Sequence, residues 1–510
     1  MPRRGVIQLT RDDITRGGLP ASSPPTFRRT DEGLEVVGDP TGGKELYVGL
    51  VGDGALVAES SGELLDVMRA GGGAPAISAA SLSHVLHHSF VPVPQTVYED
   101  VAFLAIGDSV QLTVAGRGVE MNPHHDMPWL RHRSAQDQAP DTQRLRKLLA
   151  RSVERKIDAI SGGGFLMLSS GKDSVAVALA VADVGRDDIP GVTFRSSAED
   201  DTPDIAGEMC RRLGLRHVIV DHRGASSAHR NMLVDFFTHA PFPSGDLALI
   251  PYIWCVAEMQ PRGGFVLDGD GGDIYMGFLP SPKDRLKHRL RVRNDLVRRL
   301  LTRFVPIDSP LNYALRSRLE TLFSLRTLRY RDTSRFYPQA VDTHRYWWDR
   351  SRRLRDHDLI DLKAERARHH GAARSMLKMR LAVDWGGAEA VMPYCDRELA
   401  QYCFGLPEGD KFDLAHGTNK VLLRRMLEEA VGYDAAAVGK HPFLFDGARF
   451  LAENRTFVHD EITGCAWWND RAGHVAAGWL DDLERRPFLY HPLLVLFQVS
   501  AWLNHSRYVR

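Results

Sequence analysis

Two short polar loops, each directly behind an apolar run, carry the residue types best suited to chemistry. The first lies in Gly162–Ala182, GGGFLMLSSGKDSVAVALAVA. Phe165–Leu168 predicts a short buried strand and Ser169-Ser170-Gly171-Lys172-Asp173-Ser174 a tight loop. Val175, Ala178, Leu179 and Ala182 then begin a helical face. A helix entered in this way leaves its first backbone N–H groups free. Together with the serine hydroxyls and Lys172 they form a seat for an anion, with phosphate the natural occupant. The pattern is not the G-x-x-x-x-G-K-S/T phosphate loop, because Asp173 follows Lys172 and the upstream glycine is misplaced. The second loop, Asp268–Gly277 (DGDGGDIYMG), follows the apolar run Phe265-Val266-Leu267.

The elements that must position these loops alternate helix and strand. Leu145–Ile160 predicts an amphipathic helix, Gly191–Phe194 and His217–Val220 predict strands, and Pro203–Leu213 predicts a helix between them. Such alternation makes a parallel sheet covered by helices, with ligands at the carboxyl ends of its strands. Both loops follow strands directly, so they are expected to share one crevice.

The N-terminal part is different. From Phe27 to about Val119 short segments, Leu34–Val37, Leu46–Val51, Ala55–Ala58 and Val110–Val114, alternate with turns, and a helix is expected near Ala79–His88. Residues 1 to about 26 end in the run Pro20–Pro25 and read as an irregular arm. Met121–Asp141 reads as a polar linker, and His124-His125-Asp126 within it as solvated rather than metal-binding. Beyond Gly277 the chain turns helical and basic. Arg285, Lys287, Arg289, Arg291, Arg293, Arg298, Arg299 and Arg303 fit one amphipathic helix, either a solvated face or a dock for an acidic or peptidic partner.

A length of 510 residues implies two or more domains. The 65 basic and 65 acidic residues cancel, so no global field favours nucleic acid or an anionic membrane. Cys210, Cys255, Cys395, Cys403 and Cys465 include no C-x-x-C pair and read as buried, reduced thiols. Neither an apolar leader nor a membrane-length apolar run is evident, which makes the cytoplasm the expected compartment.

The loop S-x-G-x-D-S formed by Ser169–Ser174 resembles the S-G-G-x-D-S pyrophosphate loop of the ATP pyrophosphatase superfamily, with Ser170 in place of a glycine. Asp268–Gly277 resembles the asparagine synthetase signature S-G-(E/D)-G-x-D-E-x-x-G. Glu389–Asp396 is similar to the family's E-A-R-x-P-F-L-D, Asn419–Arg424 to its G-K-x-x-L-R and Lys440–Gly447 to its K-x-x-F-x-D-G. Asp39–Gly42 and Val91–Thr96 resemble D-x-x-G and V-P-x-P-x-T of the family's glutaminase domain. The resemblance implies an α/β fold. Residues 1–130 would be a truncated, inactive Ntn-glutaminase-like β-rich domain. Residues 140–510 would be an ATP pyrophosphatase-type synthetase domain with a parallel sheet, carrying a basic helical insertion at 278–375.

ATP and Mg2+ are the implied cofactors. Ser169, Ser170, Gly171, Lys172, Asp173, Ser174, Gly269 and Gly271 would hold the nucleotide, and Asp173 and Asp273 would supply one metal-binding carboxylate each. Pro2 stands where glutamine-dependent members have a cysteine, which speaks against glutamine hydrolysis. Ile274 replaces the glutamate of the signature, as in the related β-lactam synthetases.

These departures suggest the glutaminase-deficient branch, with β-lactam synthetases and lasso-peptide macrolactam cyclases. A small-molecule or peptide carboxylate would be adenylated, pyrophosphate released, and a lactam or macrolactam closed by the substrate's own amine. A precursor peptide and a processing protease would be partners in the peptide case. Lys440 would stabilise the adenylate and the oxyanion, and Asp270 would act as base or substrate positioner. Glu389 would supply either the glutamate of a tyrosine–glutamate pair or a structural cap. Other readings stay open: an ammonia-using amidotransferase, a nucleobase-modifying or tRNA-thiolating enzyme, and a non-catalytic nucleotide- or partner-binding pseudoenzyme.

Overall fold

The computed structural model describes residues 5–16, 27–71, 75–116, 118–126, 137–276, 279–302, 304–305, 309–323, 328–439 and 445–509. It is a mixed α/β structure. Among the described residues eight strands precede residue 126: β1 (Ile7–Leu9), β2 (Phe27–Thr30), β3 (Gly33–Val37), β4 (Tyr47–Val51), β5 (Gly54–Ala58), β6 (Val101–Phe103), β7 (Asp108–Ala115) and β8 (Gly118–His125). They form two antiparallel sheets of order β1-β5-β4-β6 and β2-β3-β7-β8.

Side-chain alternation explains why these short strands are so apolar. Val48, Ala55 and Val57 of the first sheet meet Leu34, Val36, Val110 and Leu112 of the second in a small core of their own. The intervening residues Tyr47, Leu56 and Ala58 point the other way and join the large core of the rest of the chain. The first sheet is therefore a wall buried on both faces, and the helix Ala79–His88 packs behind it with Leu82, Val85 and Leu86 in the same large core.

The second half is built on five parallel strands: β9 (Gly164–Met167), β10 (Gly191–Arg195), β11 (His217–Asp221), β12 (Phe265–Leu267) and β13 (Glu389–Val391), in the order β11-β10-β9-β12-β13. The chain steps outward from β9 to β11 on one side and returns to β12 on the other. The reversal falls between β9 and β12, where loops leaving adjacent parallel strands diverge and open a crevice. Phe165, Leu166, Phe265, Val266 and Leu267 are fully buried because helices cover both faces. One covering helix, Thr142–Ile157, is capped by the Asp141 carboxylate, which accepts from the N–H groups of Gln143 and Arg144. It buries Leu145, Leu148, Leu149, Val153 and Ile157.

Three expectations are corrected. The first residues of the expected linker continue β8, which pairs with β7 as far as Asp108↔His125. There His125 Nδ1 lies 2.9 Å from the buried Asp108 carboxylate, so this histidine belongs to a structural ion network rather than to solvent. The basic run after Gly277 is not one helix but two, Pro282–Leu290 and Asp295–Thr302. A Ser281–Asp284 capping box starts the first, and Arg291 in extended conformation ends it. The expected irregular arm is corrected where it is described, since residues 5–16 hold β1, paired with β5, and the helix Arg11–Arg16; residues 1–4 and 17–26, the linker residues 127–136 and Lys440 lie outside the described residues. All five cysteines are buried, and no helix among the described residues is long and apolar enough to cross a membrane.

Candidate active site

The loop after β9 is tied together by its own serines. Ser174 Oγ donates within 3.1 Å of the Ser169 carbonyl and within 3.0 Å of the Gly171 carbonyl, and Ser169 Oγ accepts from Gly171 N–H at 3.1 Å. These bonds fix the loop at the start of the helix Lys172–Asp183, whose cap position Gly171 provides no side-chain bond to the helix. The amino end thus keeps its donors available for an anion. Ser170 faces inward and its carbonyl accepts from Tyr433 OH. Its hydroxyl is buried and, among the described residues, has no hydrogen-bond partner. The Lys172 side chain is largely withdrawn from water, and that burial lowers its pKa although Asp173 beside it acts in the opposite sense.

The second loop lies against the first. A Cβ on Gly269 would sit 2.9 Å from Ser174 N, and one on Gly271 would sit 2.7 Å from Cys395 Sγ. Gly271 also holds a φ of +102°, so both positions require glycine. The approach brings Asp173 and Asp273 onto one cation: Lys420 Nζ stands 2.6 Å from Asp173 Oδ1 and 2.6 Å from Asp273 Oδ1. Lys420 is buried, and although burial alone would favour its neutral form, the two carboxylates raise its pKa. The Asp173 and Asp273 side chains remain 30% and 42% exposed, so both still face solvent. Tyr394 OH donates to the Asp173 carbonyl at 3.2 Å and anchors the loop from β13's side.

Lys420 is the principal residue that sequence reasoning missed. The Asn419–Arg424 segment was assigned to the family pattern, but no role follows from its spacing. Its backbone offers the reason: Lys420 holds a left-handed conformation, φ 55° and ψ 48°, at the cap of the helix Val421–Val431. A non-glycine residue held there is a local cost that packing must offset, and it aims the side chain at the carboxylates.

A second group lines the same loop. Asp268 is buried, accepts from Tyr252 OH, and accepts from Asp270 N–H at 2.8 Å. Burial, then the Asp270 charge, pushes its pKa up to about 6, against the pull of Lys378 and the Tyr252 bond. Asp270 accepts from Ser375 Oγ at 2.7 Å and faces Lys378 Nζ at 3.7 Å. Arg374 pairs with Asp246 at 3.2 Å. Burial works against the Lys378 charge, yet Asp270, Asp246 and Asp268 outweigh it and raise its pKa. Arg374 and Ser375 belong to a π-helical stretch, Ala367–Met376, and Lys378 to the α-helix that continues it. The wider turn displaces this face from 3.6-residue spacing, which is why helical periodicity does not single it out.

Glu389 is not brought to the crevice. It begins β13 opposite Phe265, so it stands at the amino end of the parallel sheet, whereas the loops leave the carboxyl ends after Leu267 and Met167. It lines a separate cleft with Glu45, His239, Asp384 and Arg507.

The profile of the asparagine synthase family matches residues 144–464. Proteins of Mycobacterium tuberculosis and Mycobacterium bovis, provisionally named glutamine-hydrolysing asparagine synthetases, are each 24% identical to the chain over 429 residues, covering 77% of it. The chain spans 62% of the length of these curated relatives. Among solved structures, an NH3-dependent NAD synthetase from Campylobacter jejuni matches 27% of this chain and 61% of its own, at 16% identity and a TM-score of 0.20. An NMN synthetase from Francisella tularensis matches 30% and 58%, at 17% identity and a TM-score of 0.17. The family match takes in every strand of the parallel sheet, both crevice loops and Lys420, and by it the chain belongs to the asparagine synthase family.

Proposed function

We propose that this chain is an ATP-dependent, AMP-forming carbon–nitrogen ligase of the glutaminase-deficient branch, closing a lactam or macrolactam with the substrate's own amine. The observation that carries the reading is the pair of carboxylates, one from each loop, gathered by Lys420 at the mouth of a helix amino end.

The residues present fit a nucleotide and a hard divalent cation. The partnerless Ser170 hydroxyl and the open helix end suit phosphate oxygens, and Asp173 and Asp273 are hard oxygen donors that would hold Mg2+. When bound, that cation would neutralise charge on the departing pyrophosphate. The chain's own part is positional and electrostatic. The Ser169–Ser174 loop seats the phosphates, and a substrate carboxylate oxygen attacks the α-phosphorus as its bond to pyrophosphate breaks. The amine nitrogen then attacks the acyl carbon, loses a proton, and AMP departs. Lys440 is our candidate for stabilising the oxyanion of that second step. Asp270 is already engaged by Ser375 and Lys378, which favours a positioning role over that of a free base.

We read residues 1–130 as a glutaminase-like unit serving as scaffold. Burial holds the thiols of Cys255, Cys395, Cys403 and Cys465 up to about 12 and that of Cys210 up to about 11, so none is a poised nucleophile for glutamine. Toward the substrate, Leu286, Leu290, Leu296, Leu300 and Phe304 are exposed in the basic insertion, a cationic and apolar surface that favours a peptidic acid.

The test is exchange of labelled pyrophosphate into ATP by the full chain, run against panels of amino-acid-derived and peptide carboxylates. One panel should support exchange, and Asp173→Asn should lower it by about 100-fold or more. Absence of exchange with every acid, alongside undetectable ATP binding, would overturn the ligase reading. A product that forms only with added ammonium would replace ring closure by the amidotransferase reading.

A further inference from the structure

Away from the crevice, the helix Ala79–His88 meets the insertion across a buried group rich in histidine. His84, His87 and His88 come from the helix, His344 from the first turn of the helix His344–Arg353, and Glu320 from the helix Arg318–Phe323. One ligand atom from each of His88, Glu320 and His344 lies within 4.8 Å of the others. His88 Nε2 is 4.0 Å from Glu320 Oε1, and His344 Nδ1 is in hydrogen-bond contact with that same oxygen. We propose that His88 Nε2, Glu320 Oε1 and His344 Nδ1 bind one divalent transition metal of the zinc class, which fastens the insertion to the N-terminal helix.

Four features support the assignment. The donors are two imidazoles and one carboxylate, a set that zinc accepts with a fourth position left open. Ligand atoms of a tetrahedral zinc site stand about 3.3 Å apart for bonds of about 2.0–2.2 Å, so small side-chain rotations suffice. An outer contact orients the carboxylate: Ser317 N–H donates to Glu320 Oε2 at 2.8 Å, while the Thr343 hydroxyl, 3.1 Å from His88 Nε2, is the contact that the metal would displace. The surroundings are dry, with the rings of Phe90 and Trp347 6.4 and 5.7 Å from that of His88 and Phe323 stacked edge-on against Trp347.

His84 Nδ1 is buried beside His88 without a hydrogen-bond partner among the described residues. The three ligands are separated by 232 and 24 positions, which is why no sequence spacing announces them.

The experiment uses the full chain without a polyhistidine tag, stripped by chelator and titrated with ZnCl2 or CoCl2 alone. One equivalent should bind, Co2+ should produce the visible absorption of a low-symmetry four- or five-coordinate site, and saturating Zn2+ should raise Tm by about 2–5 °C. Glu320→Gln and His344→Gln should each abolish the equivalent and the Tm shift while ATP–pyrophosphate exchange stays within about two-fold. Failure of the wild-type chain to bind one equivalent would overturn the proposal, as would full binding by both variants. Should either variant fail to fold, X-ray absorption of the zinc-loaded wild type decides. Two imidazoles per zinc support the site, and fewer than two reject it.

Discussion

The crevice and the histidine centre are both buried concentrations of ionisable groups, yet they solve the burial problem in opposite ways. At the crevice charges stay charged and neutralise one another: Lys420 between Asp173 and Asp273, and Lys378 beside Asp270. At the histidine centre most imidazoles shed their charge. Burial lowers the pKa of His84 to about 3, depresses those of His87 and His88, and lowers to about 3 that of His369, whose ring stands edge-on 5.2 Å from Trp347 at the border of the same centre. Coulombic pairing tolerates partial exposure and suits a site that must admit charged substrates. Neutrality suits a joint between elements that must stay dry.

Removing one partner separates the two modes most sharply at Lys420. Lys420→Met would remove the cation that the two carboxylates share and leave Lys172 Nζ, 3.9 Å from Asp173 Oδ2, beside one of them. Carboxylate-dependent pyrophosphate exchange should fall by about 100-fold or more, and stability by about 2–4 kcal/mol, since a broken buried pair costs more than the intact pair contributes. Urea unfolding together with exchange would measure both. If stability fell but exchange survived, the lysine would be a structural tie alone.

How far each region is legible in the sequence follows from the same contrast. The crevice loops are contiguous, each directly behind an apolar run, so Ser169–Ser174 and Asp268–Asp273 are visible as chemistry before any coordinate is known. The strand Phe265–Leu267 and the helix Ala79–His88 fall where expected, because alternation and helical periodicity are local properties. Lys420 is not legible in the same way, since its role depends on a left-handed backbone and a fold that closes 247 residues of chain onto Asp173. Glu389 misleads for a related reason. Its neighbours in sequence reach the crevice, but a strand separates its two ends, and it lies at the wrong one. The histidine centre is assembled entirely from distant residues and has no local signal. Likewise β8 hides in a polar stretch, because only its pairing with β7 makes His125 part of the structure.

Acid should pull the two regions in opposite directions. His369 keeps its ring neutral to about pH 3, owing to burial and then Arg368, whereas in the unfolded chain it takes a proton near 6.5. Between those values the unfolded state binds more protons, so this stabilisation is present above pH 6.5 and is lost as pH falls. The loss through this one group is about 3 kcal/mol from pH 6.5 to 4. His369→Gln should cost about 1 kcal/mol near neutrality and flatten the acid limb of a Tm-against-pH profile. An unchanged limb would mean that the ring is protonated in the fold and that the centre is held by charge after all.

Asp268 supplies the smaller, opposite effect. Its carboxyl keeps a proton to about pH 6 in the folded chain, through burial and the neighbouring Asp270, while the unfolded carboxyl releases it near 3.8. Across that interval the folded state binds more protons, so stability declines as pH rises, by about 2 kcal/mol from pH 4 to 7. Asp268→Asn can still accept from Asp270 N–H through its amide oxygen, carries no ionisable proton, and should remove this decline. Nitrogen replaces the oxygen that accepts from Tyr252 OH, so part of the gain at pH 7 is forfeited unless the tyrosine hydroxyl turns to accept. Calorimetry at pH 4.5 and 7 therefore reads the difference between two Tm shifts rather than either alone. A variant equally displaced at both values would show that Asp268 is already ionised at pH 4.5, and that Lys378 governs the crevice more strongly than burial does.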